Sequence, residues 1–163
     1  MLERLANAVL FQIGWLACVL GGNSLWLLLA LTVLVIHLCW ISSWAQEGRL
    51  ILSVVIIGTA VDSLLRGLGV FEFKDLSPLI PLWLMLLWAL FATTLRHCLQ
   101  WSASPWWLAS LLGAAGGALS YGAGGRLAGV QFPFGELPTL IGIALLWALL
   151  FPLLHQLSRR LAR

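Results

Sequence analysis

A chain of 163 residues that is 61% hydrophobic and only 9% charged, with a mean hydropathy of +1.00, is not a water-soluble domain, because soluble chains carry roughly 25% charged residues. Its net charge of +3 is too small, and its basic residues lie too close to apolar runs, for a nucleic-acid surface. The three cysteines, Cys18, Cys39 and Cys98, sit inside apolar runs without paired spacing, so neither a disulfide framework nor a zinc ribbon follows and they read as small buried residues.

Six apolar segments run along the chain, at roughly 5–21, 24–41, 50–70, 79–100, 105–123 and 137–157. Each approaches the ~20 residues that a spanning helix needs. Short breaks rich in Gly, Asn, Ser and Pro separate them, with Ser42 to Arg49 and the longer Gly124 to Glu136 stretch read as loops. The expected fold is therefore an all-α polytopic transmembrane bundle of about six spanning helices, one domain over 1–163, with neighbours antiparallel. The first segment carries Asn7, Gly14, Cys18 and Gly21 on one small-residue face. Trp15-Leu16-Ala17-Cys18 only faintly resembles a lipoprotein cleavage site, and an uncleaved first helix is expected.

Orientation follows from the basic residues. With both termini cytoplasmic, Arg4, Arg49, Arg96, Arg159, Arg160 and Arg163 lie inside, against Arg66, Lys74 and Arg126 outside. The positive-inside rule favours that arrangement, and Trp40, Trp44, Trp101, Trp106 and Trp107 then fall at the inner boundary.

The third segment holds Asp62 near its middle, with Arg66 one turn later. A carboxylate at the bilayer centre costs on the order of 2.5–3.5 kcal/mol, so it needs a partner or a purpose. Gly58, Asp62, Arg66 and Gly69 share a face that should point into the bundle. Asp62, Arg66, Gln12, Tyr121 and Arg126 form the expected intramembrane polar core. It is either the floor of an outward-facing cavity or an ion pair or hydrogen bond locking helices together.

His37, His97 and His155 stand near the inner ends of the second, fourth and sixth segments. Three imidazoles at one level are the candidate donors for a metal or haem, although no two share ligand spacing and only Glu47, in a loop, could orient them. No cofactor is expected. On the fifth segment Gly113, Gly117, Ser120 and Gly124 make a small-residue face, with Gly113 and Gly117 at GxxxG spacing. Backbone-to-backbone helix packing is the expected use. A phosphate cradle would need a strand before the glycines.

Three stretches resemble a known family. They are Phe11-Gln12-Ile13-Gly14-Trp15-Leu16-Ala17-Cys18, then Val61-Asp62-Ser63-Leu64-Leu65 with Gly67-Leu68-Gly69, then Pro81-Leu82-Trp83 leading to Leu87-Trp88-Ala89-Leu90-Phe91-Ala92-Thr93-Thr94. With His97 and the Gly116-to-Arg126 segment they make the chain similar, nearly end to end, to the DUF2878 family of bacterial integral membrane proteins, which has no assigned activity. Ala118 stands where that pattern would carry proline, so a kinked fifth helix is not implied here. The resemblance implies a multi-pass protein of the bacterial inner membrane, associated with membrane lipid and with proteins of lipid metabolism. The near absence of paired catalytic groups points to a non-enzymatic accessory role. A small transporter using Asp62 and a lipid-modifying enzyme using the histidines are the alternatives.

Overall fold

The computed structural model describes residues 1–75 and 77–162. Arg163, counted above on the inner side, lies outside the described residues. Among the described residues six α-helices make the fold: α1 Leu2–Gly21, α2 Trp26–Ile36, α3 Trp44–Gly67, α4 Leu82–Thr94, α5 Trp106–Ala128 and α6 Glu136–Arg160. Among the described residues the sole β feature is one antiparallel bridge, Glu72 with Gln131, between two loops. Helices α1, α3 and α6 are long and apolar enough to cross a membrane, while α2 and α4 are shorter apolar helices. Glycines dilute the apolar character of α5, which is nonetheless 23 residues long.

Several boundaries differ from the hydropathy pattern, each for a local reason. Helix α3 starts at Trp44 rather than Leu50, so Gln46, Glu47 and Arg49 belong to its first turns and not to a loop. Asp62 is consequently only five residues from the Gly67 end of α3, not at its centre. Helix α2 widens into a π-helical turn, His37–Ile41. Helix α4 stops at Thr94. Its last two threonines donate back to the carbonyls of Leu90 and Phe91 at 2.7 and 2.6 Å, the kind of local bond that competes with the helical ladder. Helix α5 runs through Gly124 and Gly125, inside the stretch expected to be a loop. It ends at Gly129, whose φ of 68° supplies the left-handed cap. Pro152 lies inside α6 without ending it, as membrane helices tolerate.

The packing is compatible with a hydrocarbon surround. Leu119, Leu145 and Ile56 are 73%, 67% and 67% exposed on three different helices, an apolar exterior that a water-soluble monomer avoids. The interior combines small residues (Ala17, Cys18, Ala30, Ala92, Ala109) with Leu50, Val54, Leu90 and Ile143. Lipid tails being as apolar as leucine, such a bundle is held by close packing and interhelical hydrogen bonds. Asn7, His37, Glu47 and Asp62 are all at most 2% exposed and fall into two separate groups.

Candidate functional site

The first group centres on Asp62. Gly58 precedes it by one turn on the same face of α3, and a Cβ there would stand 2.0 Å from Trp88 Cδ2. The bare glycine is what admits the Trp88 indole. From α4, Trp88 Nε1 donates to Asp62 Oδ2 at 2.7 Å, and from α5 the Tyr121 hydroxyl donates to Oδ1 at 2.7 Å. Both oxygens are thus held by neutral donors, and Asp62 is 0% exposed.

Arg66 is elsewhere. Its guanidinium donates to Asp75 Oδ1 at 2.6 Å and to the carbonyls of Asp75 and Leu79 at 2.6 and 2.8 Å. The long arginine stem carries the charge toward the helix end and away from Asp62, despite the favourable spacing. Arg126 pairs with Glu136 at 2.7 Å on the surface, and Gln12 is exposed. Of the five residues expected to form one polar core, the structure brings together Asp62 and Tyr121. It adds Trp88, and leaves Arg66, Arg126 and Gln12 apart.

Trp88 also stacks on Trp147 of α6, with centroids 5.4 Å apart and planes 6° from parallel, and Phe91 meets both rings edge-on. On the far side, a Cβ at Gly117 would lie 2.3 Å from Trp147 Cγ, and one at Gly113 would lie 2.4 Å from the Trp147 carbonyl oxygen. The GxxxG pair therefore seats α6, and the two indoles lie between Gly58 and Gly117. Ser120 and Gly124 turn instead to α1. Trp15 Nε1 donates to Ser120 Oγ at 3.1 Å, and a Cβ at Gly124 would stand 3.7 Å from Trp15.

Helix α5 is less tightly covered toward α1 and α4, where three cavities follow its length. The one nearest the C-terminal end of α5, about 50 Å³, is walled by Trp15, Phe71, Trp83, Tyr121 and Phe132. The next, also about 50 Å³, shares Trp15, Ser120 and Tyr121 with it and adds Trp88 and Trp147. The third, toward the N-terminal half of α5 and about 270 Å³, shares Phe11, Phe91, Ser120 and Trp147 with the second and reaches Trp101 and Ser102. From Gly113 to Gly125 this seam spans ~18 Å of helix rise, over half of a ~30 Å hydrocarbon core. Trp147 Nε1, in its wall, is buried without a hydrogen-bond partner.

The second group lies at the opposite end of the bundle, where α1 and α3 begin and α2 and α4 end. Glu47 accepts through Oε2 from His37 Nε2 at 2.9 Å and through Oε1 from His97 Nε2 at 2.7 Å. The two rings meet edge to face with centroids 5.0 Å apart, too close to hold a porphyrin between them. His155, expected at the same level, takes no part: its Nε2 faces Ser102 Oγ at 3.1 Å. Its helix presents it to a different neighbour, a distinction that depth along the chain does not carry. The third member of the cluster is Glu47, brought in because α3 begins early.

Asn7 of α1 settles the protons. Its Oδ1 accepts from the Cys98 backbone N–H at 3.2 Å, while its Nδ2 donates to the Thr93 carbonyl at 3.3 Å. The amide orientation is therefore fixed, and Nδ2 stands as the donor to His37 Nδ1 at 3.2 Å. His37, accepting at Nδ1, carries its proton on Nε2 and gives it to Glu47. Turning the Asn7 amide over would leave the Cys98 N–H without an acceptor, at about 1–3 kcal/mol. Nearby Arg96 spends its guanidinium on the carbonyls of Gln46 and Ser158, at 2.7 and 3.0 Å.

This is an all-helical protein with three helices fit to cross a membrane, a buried carboxylate hub and an apolar seam. The chain belongs to the DUF2878 family, described as a protein of unknown function, whose profile matches residues 4–153. No curated protein and no solved structure matches it.

Proposed function

We propose that the protein is a non-enzymatic accessory protein of the bacterial inner membrane, crossing it several times with both ends cytoplasmic. Its role is to hold the hydrocarbon chain of a membrane lipid in the seam along α5. The observation that carries this reading is the run of three adjoining cavities, all lined by Ser120. Their walls are mostly aromatic and aliphatic. The hydrogens of Trp15 and Tyr121 are already given to Ser120 and Asp62, and the unpartnered Trp147 N–H offers one hydrogen bond at most, so a polar solute entering there would lose most of its hydration without replacement. An acyl chain loses nothing. A lipid so held is displayed to a neighbouring membrane protein of lipid metabolism, the class of partner this role requires.

The test uses nanodiscs containing lipid brominated along its acyl chains, with tryptophan emission and native mass spectrometry as readouts. Wild-type protein should show quenching beyond that of its lipid-facing tryptophans and should retain lipid after mild delipidation. Gly116 lines the largest of these three cavities, and a Cβ there meets nothing within 4 Å, so Gly116→Phe should fill the seam without disturbing the helices. Loss of both signals in that variant is expected. Equal lipid retention by a folded Gly116→Phe protein overturns the reading.

A further inference from the structure

The geometry points to a binding site for a divalent first-row transition ion at His37, Glu47 and His97. This does not depend on the lipid seam. The three side chains come from the end of α2, the start of α3 and the segment after α4, and one ligand atom of each lies within 4.8 Å of the others. In a tetrahedral site with bonds of 2.0–2.2 Å the ligand atoms stand about 3.3 Å apart, so side-chain shifts on the order of 1 Å close the set. Each imidazole turns Nε2, the nitrogen that can ligate, to its own carboxylate oxygen at 2.9 and 2.7 Å. Two imidazoles and one carboxylate are borderline donors, suited to Zn²⁺ or Fe²⁺ rather than to Mg²⁺ or Ca²⁺. Three protein ligands leave a coordination position for an outside ligand. His97, with its side chain 17% exposed against 2% for the other two, marks the side from which an ion enters.

Ion binding needs the lone pair of each Nε2, so each imidazole shifts its single ring proton from Nε2 to Nδ1 and stays neutral. The His37 Nδ1–H then faces the Nδ2 of Asn7, so the amide must turn over and give up Cys98 and Thr93. That is a handicap in the wild-type chain, and it yields a variant with the opposite sign. In Asn7→Asp, one carboxylate accepts from both His37 Nδ1–H and the Cys98 N–H. It completes a carboxylate–histidine–metal arrangement and neutralises the second charge of the ion.

The experiment uses the full chain, free of any histidine tag, stripped with chelator in nanodiscs and titrated with Zn²⁺ or Co²⁺. Wild-type protein should retain one Zn²⁺ per chain through gel filtration, and X-ray absorption should show only nitrogen and oxygen neighbours at 2.0–2.2 Å. His97→Ala and Glu47→Gln should each weaken binding at least 100-fold. Asn7→Asp should tighten it about 10-fold, within the range that outer partners of metal ligands command. A purely hydrogen-bonded cluster predicts no such gain. The proposal is overturned if wild-type protein retains no ion, if the absorption spectrum shows sulfur ligands, or if folded His97→Ala binds as the wild type does.

Discussion

Two buried carboxylates, Asp62 and Glu47, sit toward opposite ends of the same helix and are handled differently. Asp62 is held by an indole and a phenol, both neutral, inside a wall of aromatic rings. Glu47 is held by two imidazoles, rings that can move their proton to the other nitrogen and offer a lone pair to a metal. The first site is built by subtraction, since Gly58 leaves the space that Trp88 fills. The second is built by convergence, four helix ends each supplying one polar side chain. The lesson is that an apolar helical bundle can bury carboxylates on neutral donors if it brings enough of them. The kind of donor then decides whether the site is a lock or a place where chemistry can occur.

The contrast can be broken most severely at Glu47. Glu47→Ala leaves the N–H donors of buried His37 and part-buried His97 without an acceptor, and a loss of about 2–5 kcal/mol is expected, each stranded donor costing about 1–3 kcal/mol. Reversible unfolding in mixed micelles measures it, and a change under 1 kcal/mol would mean the cluster holds nothing together. At Asp62 the effect should be smaller. Asp62→Asn keeps one acceptor oxygen but turns an amide NH₂ toward either Trp88 or Tyr121, costing about 1–3 kcal/mol with the fold retained. The same unfolding assay reads it, and a shift in tryptophan emission marks the orientation in which the Trp88 indole loses its partner. The control lies at the surface. Arg126→Ala removes a pair whose side chains are 74% and 40% exposed, and its change should stay within about 0–1 kcal/mol.

Much of this architecture was legible in the residues. Hydropathy located all six helices, and the glycine face of α5 was recognisable from its four-residue spacing. Gly58 and Asp62 were visible as one small, polar stripe. What hydropathy could not see was that a helix continues where its sequence turns polar. The stretch Ser42 to Arg49 reads as a loop on composition, yet Ser43 and Gln46 stand at the spacing of a capping box. That signal would have started α3 at Trp44 and put Glu47 inside the bundle, although Ser43 makes no side-chain cap bond. The Asp62–Arg66 spacing misled for a different reason. Helical proximity fixes where two stems begin, and the six-atom reach of arginine lets its head choose Asp75 instead. For the histidines, depth along the chain was readable but direction around the helix was not, and His155 faces Ser102 as a result.

The stack of Gly58, Trp88, Trp147 and Gly117 has a consequence for how sequences of this family can drift. Its four members come from four helices and share one fixed thickness, so no member can be enlarged unless another shrinks. Substitutions at 58, 88, 117 and 147 should therefore travel as a correlated set across family members, alanine at either glycine position appearing with a smaller ring opposite it. The spacing among α3, α4, α5 and α6 is in that sense inherited as one quantity, written in four places.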